Sequence, residues 1–206
     1  MPSTSSRYGV PPSVGMIRQW INTLPEKTGR SLDQWLSLIR AEGPNDEAAR
    51  REWLKTDHKL GSRAAIWLAE RAEGRGTEED SPEAYLHHAE LYVANMFAGD
   101  KAGLLPVYEA LLDVGLGLGA DVMACPAKTI VPFYRNHVFA QLKPSTRTRL
   151  DLGLALGNMA VPARLIDTGG YAKKDRITYR IPITSVAEID DEVRHWLKLA
   201  YTLDEK

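Results

Sequence analysis

The run TIVPFYRNHVFAQL (129–142), then KPSTRTRL (143–150), LDLGLAL (150–156) and, after a loop, RITYRIPI (176–183), decides the fold class. Val138, Ala140 and Leu142 alternate with polar or aromatic neighbours. Leu150, Leu152 and Leu154 alternate with Arg149, Asp151 and Gly153, and Ile177, Tyr179 and Ile181 with Arg176, Thr178 and Arg180. A period of two puts one set on each face of a strand, so these runs predict an antiparallel sheet with one apolar face and one polar, basic face. Arg135-Asn136-His137 is a hairpin candidate, and Pro132 marks an edge or a bulge.

Charge singles out the same stretch. Between Lys128 and Arg180 stand ten basic residues and three acidic ones, a net +7, in a chain whose formal net charge is −1. The remainder therefore carries −8, which argues against a uniformly basic nucleic-acid binder and for a local positive patch. Lys143, Arg147, Arg149, Arg176 and Arg180 are the candidate residues for binding an anionic partner, either nucleic acid or an acidic protein or ligand. The plain alternative is a solvated outer face that discourages edge pairing.

Outward from the sheet the period changes to 3.6. On the N-terminal side, Val14, Ile17, Trp20, Ile21 and Leu24 share one helical face, with Ser13 as cap and Pro25 as the expected stop. Ser31 caps a second helix, Asn45 or Asp46 a third, and Ser62 after the Gly61 turn a fourth. Each of the four bears a tryptophan. Residues 1–12, rich in Ser and Pro, predict a loose arm. The stretch 74–81 has no periodicity and little apolar content, and it separates a helical domain at 13–73 from an α+β domain at 82–203. Pro82 opens a further helix, another runs from about Lys101 to Leu118, and a last one from about Ile189 to Leu203 closes over the sheet. The fold class is α+β: an all-α unit, then an antiparallel sheet packed by helices on one face.

Two groups of motifs carry a resemblance. TGRSLDQW (28–35) contains TG-x-SL-x-x-W, and KTDHKLG (55–61) contains K-x-x-H-x-LG; both resemble a small helical domain, domain-of-unknown-function family 4287. The segment from VYEALLDVGLGLGADVMACPAKTIVPFYRNHVF to the closing IDDEVRHWLKLAY is similar to domain-of-unknown-function family 5655. The second resemblance implies a helix, a curled antiparallel sheet and a closing helix ending in Ala200-Tyr201. Together they imply a bacterial origin and bring no catalytic residues.

Other candidate chemistry weighs less. Cys125 is the one cysteine, which excludes an intramolecular disulfide and reads as a buried thiol in preference to a nucleophile served by His137. Glu83, His87 and Glu90 share a helix face but would need further ligands to hold a metal. The turn from His58 to Arg63, flanked by Lys55 and Lys59, reads as an interhelical connection before a phosphate contact. There is no GxGxxG after a strand, no GxxxxGK[ST], no HExxH, no GxSxG and no CxxC. These absences lead to an expectation of no cofactor, no metal and no catalytic residue. With no apolar run long enough to span a bilayer and no secretory h-region, the expected location is the cytoplasm. The leading expectation is a non-enzymatic binding or adaptor protein. The rival is a small-molecule or enzymatic pocket between sheet and helices, lined by Tyr108, Phe133 or Tyr179, and a third is a helical interaction module with an exposed apolar patch on 13–73.

Overall fold

The alternation read from the sequence is realised as a six-stranded antiparallel sheet in a computed structural model that describes residues 6–205. Its strands are β1 (Met123–Ala124), β2 (Val131–Tyr134), β3 (Val138–Pro144), β4 (Leu150–Leu154), β5 (Ile166–Asp167) and β6 (Tyr179–Ile183), in the order β1-β2-β3-β4-β6-β5. Among the described residues seven α-helices accompany them: α1 (Pro12–Thr28), α2 (Leu32–Glu42), α3 (Glu47–Thr56), α4 (Ser62–Ala72), α5 (Pro82–Met96), α6 (Leu105–Leu116) and α7 (Asp191–Leu203). The fold is α+β. The chain divides into two compact units, Pro12–Tyr85 and, for the described residues, 6–11 with 86–205, so the division falls within α5.

In the sheet, register decides which side chains share a face. Val131, Leu142, Leu152 and Ile181 form one apolar row, and Phe133, Ala140, Leu154 and Tyr179 the next. Both rows are buried in a core completed by Val107, Tyr108, Leu111 and Leu112 of α6 and by Val193, Leu197 and Ala200 of α7. Gly115 lies so close to this core that a Cβ there would sit 2.5 Å from the Phe133 ring. Tyr108, Phe133 and Tyr179 are thus buried residues packed within this core. Asp190 caps α7 by accepting from Val193 N at 3.0 Å.

The helical unit explains its own motifs. Gly29, at φ 77°, ends α1 in the left-handed conformation that glycine adopts without penalty. Thr28 Oγ1 accepts the indole N–H of Trp35 at 2.8 Å and donates to Leu24 O at 2.7 Å. Ser31 and Gln34 form a reciprocal capping box at the start of α2. His58 lies edge-on to both Trp35 and Trp53, with ring centroids 5.3 and 4.3 Å away, and Leu60 N donates to Leu54 O. TG-x-SL-x-x-W and K-x-x-H-x-LG are therefore packing and capping devices, and the His58–Arg63 segment is an interhelical turn. Buried Arg50 reaches the carbonyls of Pro44, Asn45 and Ala69 and the Glu73 carboxylate, tying α3 to α4.

Several expectations change. Pro25 lies inside α1, not at its end: it costs the helix one hydrogen bond in the last turn, and Gly29 is the terminator. Gly61, not Ser62, is the N-cap of α4, and the segment before α6 is a 3₁₀ helix, Gly99–Leu104. Of the expected loose arm, residues 1–5 lie outside the described residues, whereas 6–11 pack onto the α+β unit. Gly9 N donates to Ala124 O at 2.9 Å, the Tyr8 and Tyr108 hydroxyls pair at 3.0 Å, and Arg7 meets Asp113 and Glu109. Burial pushes both tyrosine hydroxyls up from their usual range. No helix among the described residues is long and apolar enough to cross a membrane.

Candidate anion-binding groove

Because β-strand side chains alternate, the rows opposite the core carry the polar residues. One row runs Pro132, Gln141, Gly153, Arg180 and Ile166, and the next runs Lys143, Asp151 and Pro182. Gly153 belongs here for steric reasons, since a Cβ would lie 2.7 Å from Ile177 Cγ2 and 2.9 Å from Gln141 Cγ. These rows carry two cations, Lys143 and Arg180, with the Asp151 carboxylate beside them.

Asp151 is buried and organises what surrounds it. Arg180 Nη1 donates to its Oδ2 at 2.9 Å, and Ser145 Oγ donates to the same oxygen at 2.6 Å. Arg149 Nε lies 3.0 Å from Oδ1, but the N–H is not aimed at that oxygen, so the contact is a charge pair and not a hydrogen bond. Two of the candidate arginines therefore spend their charge on a residue of their own face. Arg176 leaves the group altogether. It donates through Nε to Val138 O at 3.0 Å and through Nη2 to Asp204 at 2.7 Å, five residues along β3 from Lys143 and about 17 Å away at strand rise.

Lys143 and Arg147 face a different neighbourhood. Both are exposed, and both line an open groove of about 720 Å³ between the turn joining β3 to β4 and the end of α5 with the 3₁₀ segment after it. Lys101 and Lys128 add two further cations to the same lining, against Asp100 as its carboxylate. Lys101 Nζ donates to Pro144 O at 2.9 Å, which ties the two walls together and leaves two of its three N–H donors. Arg147 Nη1 reaches Asp100 Oδ2 at 3.4 Å, with both side chains about three-quarters exposed. Such a pair is worth only about 0–1 kcal/mol and yields readily to a competing anion. Met96 and Pro144 give the groove an apolar floor, and Asn95, Thr129 and Ser145 supply neutral polar groups.

Sequence reasoning placed Lys143, Arg147 and Lys128 in the basic stretch but missed Lys101, which comes from another segment, and missed Asp204. The Asp204 carboxylate accepts from Asn136 N at 2.9 Å, His137 N at 2.8 Å and Arg176, with His137 Nδ1 at 3.1 Å. Beside it Arg135 stacks over Tyr201, its guanidinium 4.2 Å from the ring centroid, and both hydrogen-bond Asp121. The hydrogen bonds from Arg135 and then Tyr201 hold the Asp121 carboxyl below its usual range. His137 thus serves the anchoring of α7. Cys125 is buried, its amide donates to Pro132 O, and burial pushes its thiol up to about 12. Among the described residues, no group of three or more His, Cys, Asp or Glu side chains is placed to hold a metal ion.

Comparison with known families agrees with this architecture. A family model described as domain of unknown function DUF5655 matches residues 93–204, more than half of the chain. The chain belongs to the DUF5655 family. A second model, domain of unknown function DUF4287, matches residues 17–73, within the helical unit. No curated protein and no solved structure matches the chain. The DUF5655 segment contains the whole sheet, α6, α7 and every residue of the groove described above.

Proposed function

We propose that the α+β unit is a binding module that holds an anionic partner in the groove of Lys101, Lys128, Lys143 and Arg147. One observation carries this reading: Lys101, Lys143 and Arg147 converge on one open groove whose lining also includes Lys128, and Arg147 meets only a weakly engaged carboxylate, while Arg149, Arg176 and Arg180 are held by carboxylates of the chain. Charge-assisted hydrogen bonds from lysine and arginine to phosphate or carboxylate oxygens are the chemistry such a lining offers. The role is that of a non-enzymatic binding or adaptor protein.

The test is titration with a single-stranded oligonucleotide, an acidic peptide and inorganic tripolyphosphate at low and at moderate salt, followed by amide chemical shifts. At least one ligand binds at low salt, perturbs Lys143–Arg147 and the segment around Lys101, and weakens steeply as salt rises. Absence of binding by all three at low salt refutes the reading.

A further inference from the structure

Resting on that reading, we infer that the groove takes a compact polyphosphate group, of the kind carried by a small di- or triphosphate ester, and not a polymer backbone. Polymer binders lay their cations along a stripe that follows successive phosphates, usually with aromatic platforms for the bases. Here the cations surround a hollow. Lys101 stands on the side formed by the end of α5 and the 3₁₀ segment, Lys143 and Arg147 on the β3–β4 side, and Lys128 on the segment leading into β2. The volume, about 720 Å³, falls inside the roughly 300–1,000 Å³ range of small-molecule sites.

The stripe that would extend this cluster into a polymer track is interrupted on the face itself. Lys143 is paired across the ladder with Asp151, and Asp151 engages the next two cations, Arg149 and Arg180. A phosphodiester chain leaving the groove along the sheet would meet a buried carboxylate and two guanidiniums already turned towards it. A group whose charges are concentrated within a few ångströms satisfies Lys101, Lys143 and Arg147 together, by displacing Asp100 from Arg147. Met96 and Pro144 then remain for the apolar part of an ester, and Asn95, Thr129 and Ser145 for its hydroxyls.

The experiment compares inorganic tripolyphosphate, orthophosphate and a twelve-nucleotide single strand by calorimetry on the full chain at fixed salt. Lys143→Glu and Arg147→Glu serve as variants, because both side chains are exposed and their replacement leaves the core untouched. Tripolyphosphate binds with one-to-one stoichiometry and at least tenfold more tightly than orthophosphate or the oligonucleotide, and each variant loses tenfold or more. An oligonucleotide that binds more tightly than tripolyphosphate, with the same loss in the variants, overturns this inference while leaving an anion-binding groove in place. Tripolyphosphate binding that neither variant weakens overturns the assignment to this groove. Failure of every ligand to bind overturns both.

Discussion

Replacing Asp151 by Asn separates what this residue does for the fold from what it does to the groove. The carboxylate receives Arg180 and Ser145 as hydrogen-bond donors and Arg149 as a charge neighbour, with its side chain almost fully enclosed and the guanidiniums about a third exposed. An amide of the same size keeps one acceptor for Arg180 or Ser145 and loses the charge. Pairs of this intermediate exposure lie between the 0.2–1 kcal/mol of surface bridges and the 3–5 kcal/mol of broken buried ones, so the loss is about 2 kcal/mol. That leaves a domain of ordinary stability folded. At the groove the sign reverses. Asp151 is directly opposite Lys143, and an anion held by that lysine lies about 9 Å from the carboxylate, a repulsion of about 0.5 kcal/mol per ligand charge in water, cut to about 0.2 by screening at 0.1 M salt. For a ligand of about four charges the relief approaches 0.8 kcal/mol, roughly a fourfold gain in affinity. Chemical denaturation of Asp151→Asn gives the first number, and tripolyphosphate calorimetry on the folded variant gives the second. A variant that is less stable and also binds more weakly refutes the claim that the groove is read by charge.

Three further outcomes test the frame around the groove. Asp204→Ala strands the Asn136 and His137 amides and the Arg176 guanidinium, costing about 3 kcal/mol or more; amide exchange at 136–138 and along α7 rises together, and unchanged exchange refutes the anchoring role. Because the folded Asp121 carboxyl is depressed below its ordinary 3.8, its contribution is complete above that value and is lost as pH falls through the lower folded one. Asp121→Asn therefore removes part of the acid limb of a stability–pH curve and lowers the plateau near neutrality; a curve of unchanged shape contradicts this. Cys125, buried with its thiol pushed up to about 12, resists alkylation at pH 8 until the α+β unit unfolds, and rapid labelling of the folded chain shows the thiol to be accessible.

What the sequence made legible was what neighbours in the chain decide. Period-2 alternation located β3, β4 and β6, and the helix-terminal signals at Ser31 and Asp46 operate in the structure as caps. Pairing over long separations left no local trace. β1 and β5 are two residues each and exist only because β2 and β6 offer them an edge. Residues 6–11 carry no periodicity, and what fastens them is a hydroxyl pair between Tyr8 and Tyr108, an amide of Gly9 on β1 and the pairing of Arg7 with Asp113 and Glu109. The groove divides in the same way. Lys143 and Arg147 stood out by composition, whereas Lys101 joins them through a bond to the carbonyl of Pro144, 43 positions further on.

The charge asymmetry acquires a physical meaning from these partners. The net-acidic remainder of the chain does not simply dilute the basic stretch; it supplies the carboxylates that hold it. Asp121 and Glu205 engage Arg135, Asp190 and Glu192 engage Arg164, and Asp204 engages Arg176. Each of these pairs joins the sheet or its loops to α7 or to the entry of β1, where guanidinium geometry, with its fixed fork of donors, suits bridging between elements. The groove is lined instead by three lysines and the exposed Arg147; there Lys101 donates to a carbonyl and Arg147 reaches a weakly engaged carboxylate. Counting charges along the sequence gives +7 for the stretch, but the charge available to a ligand is what remains after the fold has taken its share, and part of that remainder stands at one end of β3. A ligand selected by it should be small and densely charged, which is why the comparison of tripolyphosphate with a polymer of the same charges bears directly on how the surface is built.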